Sequence, residues 1–184
     1  GQHINWADFA ARADAVAATL AKLGTRPGDV VSAIAASSVD YAVLWAAVLR
    51  LRATIAPLAP SSTPEQIAAM VQDSGARLVF TDAAARRDFG AVLGNVGIVD
   101  LENLDAWIDP SAEVPPLADL DPQAAFNIIY SSGTTGTPKG IIQSCAMRSL
   151  RTVAAVASTP TTPLRVIRTA GLIAGSIATT GNAT

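Results

Sequence analysis

From Tyr130 to Gly140 the chain reads YSSGTTGTPKG. These eleven positions hold three glycines, the hydroxyls of Ser131, Ser132, Thr134, Thr135 and Thr137, and the ammonium of Lys139. Gly133, Gly136 and Gly140 permit backbone conformations that a Cβ would oppose, so main-chain N–H groups can close on an anion. Lys139 adds a compact positive charge at the end of the loop, and Pro138 stiffens the approach to it. Such a set of donors suits a polyphosphate. Lys139 reads as an electrostatic clamp rather than a general base. The preceding run Phe126-Asn127-Ile128-Ile129 reads as a buried strand, which would fix where the loop starts.

The loop differs from the Walker A pattern, which places four residues between its glycines and then Gly-Lys-Ser/Thr. Here Thr134 and Thr135 alone separate Gly133 from Gly136, and Gly140 follows the lysine. SSGTTGTPKG instead resembles the phosphate-binding signature of the adenylate-forming superfamily. That group includes acyl-CoA synthetases, peptide-synthetase adenylation domains and luciferases. INWADFAARADAVAATLAKLGTRPGDVV and LWAAVLRLRATIAPLAPSSTPEQIAAMVQDSGARLVFTD are similar to the family's earlier blocks. The resemblance covers about residues 3 to 150.

The resemblance implies a two-step reaction. A carboxylate attacks the α-phosphate of ATP, releasing pyrophosphate, and a thiol then displaces AMP. It assigns cofactor binding to Ser131, Ser132, Gly133, Thr134, Thr135, Gly136, Thr137, Pro138, Lys139 and Gly140, which would hold the β and γ phosphates. Donors aimed at the leaving group stabilise charge as it develops. The partners implied are a carboxylic acid, ATP with Mg²⁺, and CoA or a carrier-protein thiol. CoA is the first expectation. A peptide-synthetase adenylation portion is the alternative, and a non-catalytic remnant that binds phosphate or a partner protein is a rival of another class. The family's adenine, ribose and metal segments and its C-terminal lysine are expected outside these residues. No catalytic or metal-binding residue is therefore assigned within the chain, which is expected to form no acyl-adenylate alone.

The elements that must position the loop read as alternating helices and strands. Phe9, Ala13, Val16, Leu20 and Leu23 line one helix face, which Gly24 ends. Val30–Ala35, Thr54–Leu58, Leu78–Phe80 and Val96–Val99 read as strands. Ser37 or Ser38 caps a helix carrying Tyr41, Leu44, Trp45, Val48 and Leu49. Ser62-Thr63-Pro64-Glu65 starts another, ended by Gly75. A further helix is expected over about 83–93. The predicted fold is α/β: a mostly parallel sheet flanked by helices, forming the N-terminal subdomain portion of an adenylate-forming enzyme.

The expected divisions are a βα-alternating portion over 3–100, an acidic, proline-rich surface connection over 101–122, a phosphate-loop hairpin with its following helix over 123–158, and a poorly matching tail over 159–184. Ile141-Ile142 reads as the hairpin's return strand and 146–157 as the helix.

Among the 184 residues, 50% are hydrophobic and 15% charged, with net charge −2. That balance suits a globular core and gives no basic surface for nucleic acid. No apolar run reaches the ~20 residues a membrane span needs. The lone Cys145 excludes an internal disulfide and fits a reducing, cytoplasmic setting. His3, the only histidine, is terminal. Cys145 stands near where many relatives carry a histidine, and Arg52 where they usually carry glycine; Arg52 reads as surface variation. Arg148 and Arg151 read as solvated helix charges, the acids of 101–122 as a solvated loop, and Trp6, Trp45 and Trp107 as packing residues.

Overall fold

A computed structural model describes residues 3–117, 119, 121–131 and 138–148. Its first helix, α1 (Trp6–Lys22), begins at Asn5, whose side chain accepts from the Asp8 N–H at 2.8 Å. Gly24, at φ +94°, turns the chain after it. Helix α2 (Val39–Arg50) is capped by Ser38, which accepts from the Tyr41 N–H. Helix α3 (Pro64–Ser74) starts with a reciprocal box: Thr63 accepts from the Gln66 N–H, and Gln66 accepts from the Thr63 N–H. Gly75 ends it in the left-handed conformation.

The strands are β1 (Val30–Ile34), β2 (Thr54–Pro57), β3 (Leu78–Thr81), β4 (Gly97–Asp100), β5 (Ala125–Ser131) and β6 (Lys139–Ser144). They form one sheet in the order β4-β3-β1-β2-β5-β6. The pairs from β4 through β5 are parallel, and β6 runs antiparallel to β5. The expected α/β architecture is therefore the one found. The expected 83–93 helix is α4 (Ala83–Phe89) followed by a 3₁₀ turn, Gly90–Val92.

Two apolar clusters sandwich the sheet. Val16, Leu20, Val43, Leu44 and Val48 of α1 and α2 pack on Val31, Ala33 and Ile55. Ile67, Met70 and Val71 of α3 pack with Ile34, Val79 and Phe89 on the other face. This split follows the strand alternation: Val31 and Ala33 point one way, Ile34 the other. Among the described residues no helix is long and apolar enough to cross a membrane.

The start of the 101–122 segment differs from a plain surface connection. Leu101–Asn103 and α5 (Leu104–Trp107) are helical, and Leu101 and Leu104 are buried. Trp107 meets Phe80 edge-on at 5.2 Å between ring centroids. Two of the segment's acids are paired rather than merely solvated. Asp105 meets Arg12 at 2.7 Å, and Asp109 meets Lys22 at 2.5 Å. The prolines and acids hid a short amphipathic turn, with Leu101, Leu104 and Trp107 three residues apart. The 159–184 tail and most of the expected 146–157 helix lie outside the described residues.

Candidate functional site

Because β5 lies parallel to β2, its last residue sits at the sheet edge where the carboxyl ends of the parallel strands emerge. The hairpin register there is set by Ile128↔Ile142, Ile129↔Ile141, Tyr130↔Gly140 and Ser131↔Lys139. The return strand is longer than the predicted Ile141-Ile142 and begins at Lys139 itself. Of the sequence-predicted site residues, Ser131, Pro138, Lys139 and Gly140 are described. Ser132, Gly133, Thr134, Thr135, Gly136 and Thr137 lie outside the described residues.

Ser131 and Lys139 thus face each other across paired strands, and both side chains are exposed. No carboxylate among the described residues forms an ion pair with Lys139. Its charge is available to an external anion. Just inside this pair, Tyr130 donates its hydroxyl to Asp73 Oδ2 on α3 at 2.7 Å. Burial, followed by the Asp73 carboxylate, pushes the Tyr130 hydroxyl above its ordinary pKa, so it remains a proton donor across the neutral range. Gly140 opposite has a reason to lack a side chain. A Cβ there would lie 3.1 Å from Ile128 Cγ2, 3.2 Å from Tyr130 Cε1 and 3.3 Å from Asp73 Oδ2.

Sequence reasoning missed the Tyr130–Asp73 bond, because 57 positions separate the partners. The available signal was an acid in the last turn of α3, where the helix dipole disfavours negative charge.

Behind the hairpin, Ser144 caps a helical turn at 145–148 by accepting from the Met147 N–H. The Cys145 N–H donates to Ala124 and the Ala146 N–H to Pro122, which ties this turn to the chain entering β5. Burial pushes the Cys145 thiol up, while the nearby charge of Arg52 opposes that shift. Arg148 is not a solvated charge. Its guanidinium lies 5.2 Å from the Phe126 ring centroid and donates to Gln143 Oε1 at 3.4 Å. Phe126 in turn meets Trp45 at 6.0 Å. Trp6, by contrast, is 66% exposed and touches Phe9 from outside. Arg151 lies outside the described residues.

A second, polar cleft of about 310 Å³ is lined by His3, Arg12, Asp40, Glu102 and Asp105 among others. Its charges are already satisfied: Arg12 bridges Asp40 and Asp105, and Glu102 accepts from the Ala83 N–H. Just after β3, Asp82 accepts from the N–H of Ala36, which follows β1, and from that of Ala85 in α4. Among the described residues, no group of three His, Cys, Asp or Glu side chains could hold a metal ion.

Residues 1–168 match the family described as AMP-binding enzyme. Tyrocidine synthase 3 of Brevibacillus parabrevis is 34% identical over 143 residues, covering 77% of this chain and 2% of that protein. 4-Coumarate–CoA ligase 3 of Oryza sativa subsp. japonica is 30% identical over 151 residues, covering 77% of this chain and 27% of the ligase. The chain therefore spans a small part of the length of these curated relatives. The o-succinylbenzoate CoA synthetase of Bacillus subtilis, solved with the acyl-adenylate intermediate OSB-AMP, superposes with a TM-score of 0.75. The match covers 88% of this chain and 42% of that one, and at 21% identity it is a likeness of fold.

Proposed function

Since the chain belongs to the AMP-binding enzyme family, we propose that it supplies the pyrophosphate-holding part of an enzyme that activates a carboxylic acid as its acyl-adenylate and passes the acyl group to a thiol. The observation that carries this reading is the position of Lys139. It is exposed, free of ion pairs with described residues, and opposite Ser131 where the SSGTTGTPKG hairpin opens at the carboxyl edge of the sheet.

In this reading Lys139 draws the β and γ phosphates of ATP to the hairpin and strengthens its hold as pyrophosphate departs. Ser131, Ser132, Thr134, Thr135 and Thr137 donate hydroxyls to the same oxygens. Gly133, Gly136 and Gly140 keep the main chain free to approach, and Pro138 fixes the direction from which Lys139 enters. Holding ATP in line for the incoming carboxylate removes part of the entropic barrier. Mg²⁺, bound mainly by residues outside the described set, would offset phosphate charge.

Two acceptors fit. CoA is the first reading, favoured by the likeness to the coumarate ligase. A carrier-protein thiol is the second, favoured by the comparable identity to tyrocidine synthase 3. The test is carboxylate-dependent exchange of labelled pyrophosphate into ATP by the polypeptide that carries this chain, using a panel of aliphatic, aromatic and amino acids. Exchange with at least one acid supports the proposal, and none with any acid contradicts it. Supplying CoA or a phosphopantetheinylated carrier then identifies the acceptor by which thioester accumulates.

A further inference from the structure

The β5 side of the phosphate hairpin is tied directly to a helix that the proposed reaction does not otherwise use. Tyr130 immediately precedes Ser131 and pairs with Gly140, the neighbour of Lys139. Its hydroxyl reaches across to Asp73 Oδ2 at 2.7 Å. The space for this crossing exists because residue 140 has no Cβ. The next residue of α3, Ser74, is buried, and its hydroxyl donates to the Val71 carbonyl and accepts from the Ala76 N–H. Ser74 Oγ also lies 3.4 Å from Ser32 Oγ on β1. Asp73 is thus mounted on a helix end that is fixed to the centre of the sheet.

An acid in the last turn of α3 opposes the helix dipole, and that turn holds no basic residue to compensate. Asp73 breaks a local rule without stabilising its own helix. What it gains is the Tyr130 hydroxyl.

We infer that Tyr130 and Asp73 form a positioning pair that, in the space left by Gly140, fixes Ser131 and Lys139 relative to the sheet so that a polyphosphate meets them in one arrangement. The inference rests on the phosphate-site reading above. Neither residue need touch the ligand. Their contribution is pre-organisation, which improves affinity by removing the cost of ordering the site on binding.

Inorganic tripolyphosphate, titrated calorimetrically into the 184-residue chain, is the probe. Wild type should bind, and Lys139→Ala should bind more weakly. Tyr130→Phe keeps the ring and removes the hydroxyl; the loss of one such bond should weaken binding about five- to tenfold. Asp73→Ala and Asp73→Asn both remove a negative charge near the anion, so the informative comparison is between them. The asparagine keeps a carbonyl oxygen to accept from Tyr130 and should bind about fivefold more tightly than the alanine. In the double variant Tyr130→Phe/Asp73→Ala, the loss should not exceed that of Tyr130→Phe alone. Near-ultraviolet circular dichroism confirms that each variant is folded at the titration temperature.

If wild type binds and Tyr130→Phe binds equally well, the positioning role is overturned while the phosphate site stands. Equal binding by Asp73→Ala and Asp73→Asn overturns it too. If wild type itself does not bind tripolyphosphate, or Lys139→Ala binds as well as wild type, the phosphate-site reading fails and the pair loses its role with it.

Discussion

The layered half of the molecule, α1 through β4, and the β5–β6 hairpin at its edge are built on opposite terms. In the first, β1 has strands on both sides and helices on both faces, and the side chains of Val31, Ala33 and Ile34 are at most 1% exposed. In the second, Ile129, Ile141 and Ile142 are 39%, 51% and 62% exposed. Asn127 is buried there with an Oδ1 atom that has no hydrogen-bond partner among the described residues. The lysine proposed to hold pyrophosphate stands on the hairpin, as does Tyr130, while Asp73, which the Tyr130 hydroxyl reaches, stands on α3 of the layered half. Burial makes the layered half rigid, the β2–β5 pairing joins the hairpin to it, and the Tyr130–Asp73 bond is the tie inferred to extend that rigidity to the exposed end.

The largest expected effect contrasts the two halves directly. In the 184-residue chain, Leu44→Ala should cost about 2–5 kcal/mol of unfolding free energy, as cavity-forming substitutions of buried leucine do. Ile142→Ala should change it by less than about 0.5 kcal/mol, as exposed sites do. Urea denaturation of both variants checks this. Comparable losses would mean that the hairpin face is packed in solution and that the contrast is false.

A smaller effect sharpens the account of the turn between α2 and β2. Arg52 adopts φ +58°, the only positive φ outside glycine among the described residues. Arg52→Gly should relieve the left-handed strain at some cost in chain entropy, for a net gain of about 0.5–1 kcal/mol. Thermal unfolding should show a higher midpoint. A lower one would mean that the arginine's own contacts outweigh the strain.

The smallest effect concerns the clasp between the 101–122 segment and α1. The Lys22 ammonium, followed by Ser111, holds the Asp109 carboxyl at about 2, below its ordinary 3.8. Because the folded value is depressed, the stabilisation is present above 3.8 and is lost as pH falls through about 2. The pair is exposed, so the effect is modest and screened by salt. Wild type should exceed Asp109→Asn in melting midpoint above 3.8 and converge with it near 2. A gap that stays constant with pH would exclude this carboxylate as the cause.

Much of the layered half was legible in the sequence because its signals are local. The 3.6-residue periodicity of Phe9 to Leu23, the Thr63-Pro64 helix start and the short apolar strands all lie within one window of chain. What escaped reading was long-range or conformational. Arg148 reads as a solvated charge until Phe126 is placed beneath it. The acids of 101–122 read as a solvated loop until Lys22 and Arg12 come across from α1. Arg52 reads as surface variation, because a side chain does not announce that its backbone needs a positive φ. At the candidate site, the loop motif and its strand were readable, and Lys139 with them. The anchor was not, since Asp73 and Tyr130 meet only once α3 and β5 lie on the same sheet.

The hairpin is proposed to act mainly as a pyrophosphate clamp. The most direct test compares two half-reactions in the polypeptide that carries this chain, wild type against Lys139→Ala: acyl-adenylate formation from acid and ATP, and thioester formation from supplied acyl-adenylate. Losing one charge-assisted contact, worth about 1.5–3 kcal/mol, should slow adenylation roughly ten- to hundredfold. Thioester formation should be far less affected, because pyrophosphate has already left. Equal damage to both half-reactions, or damage to the second alone, would contradict the account.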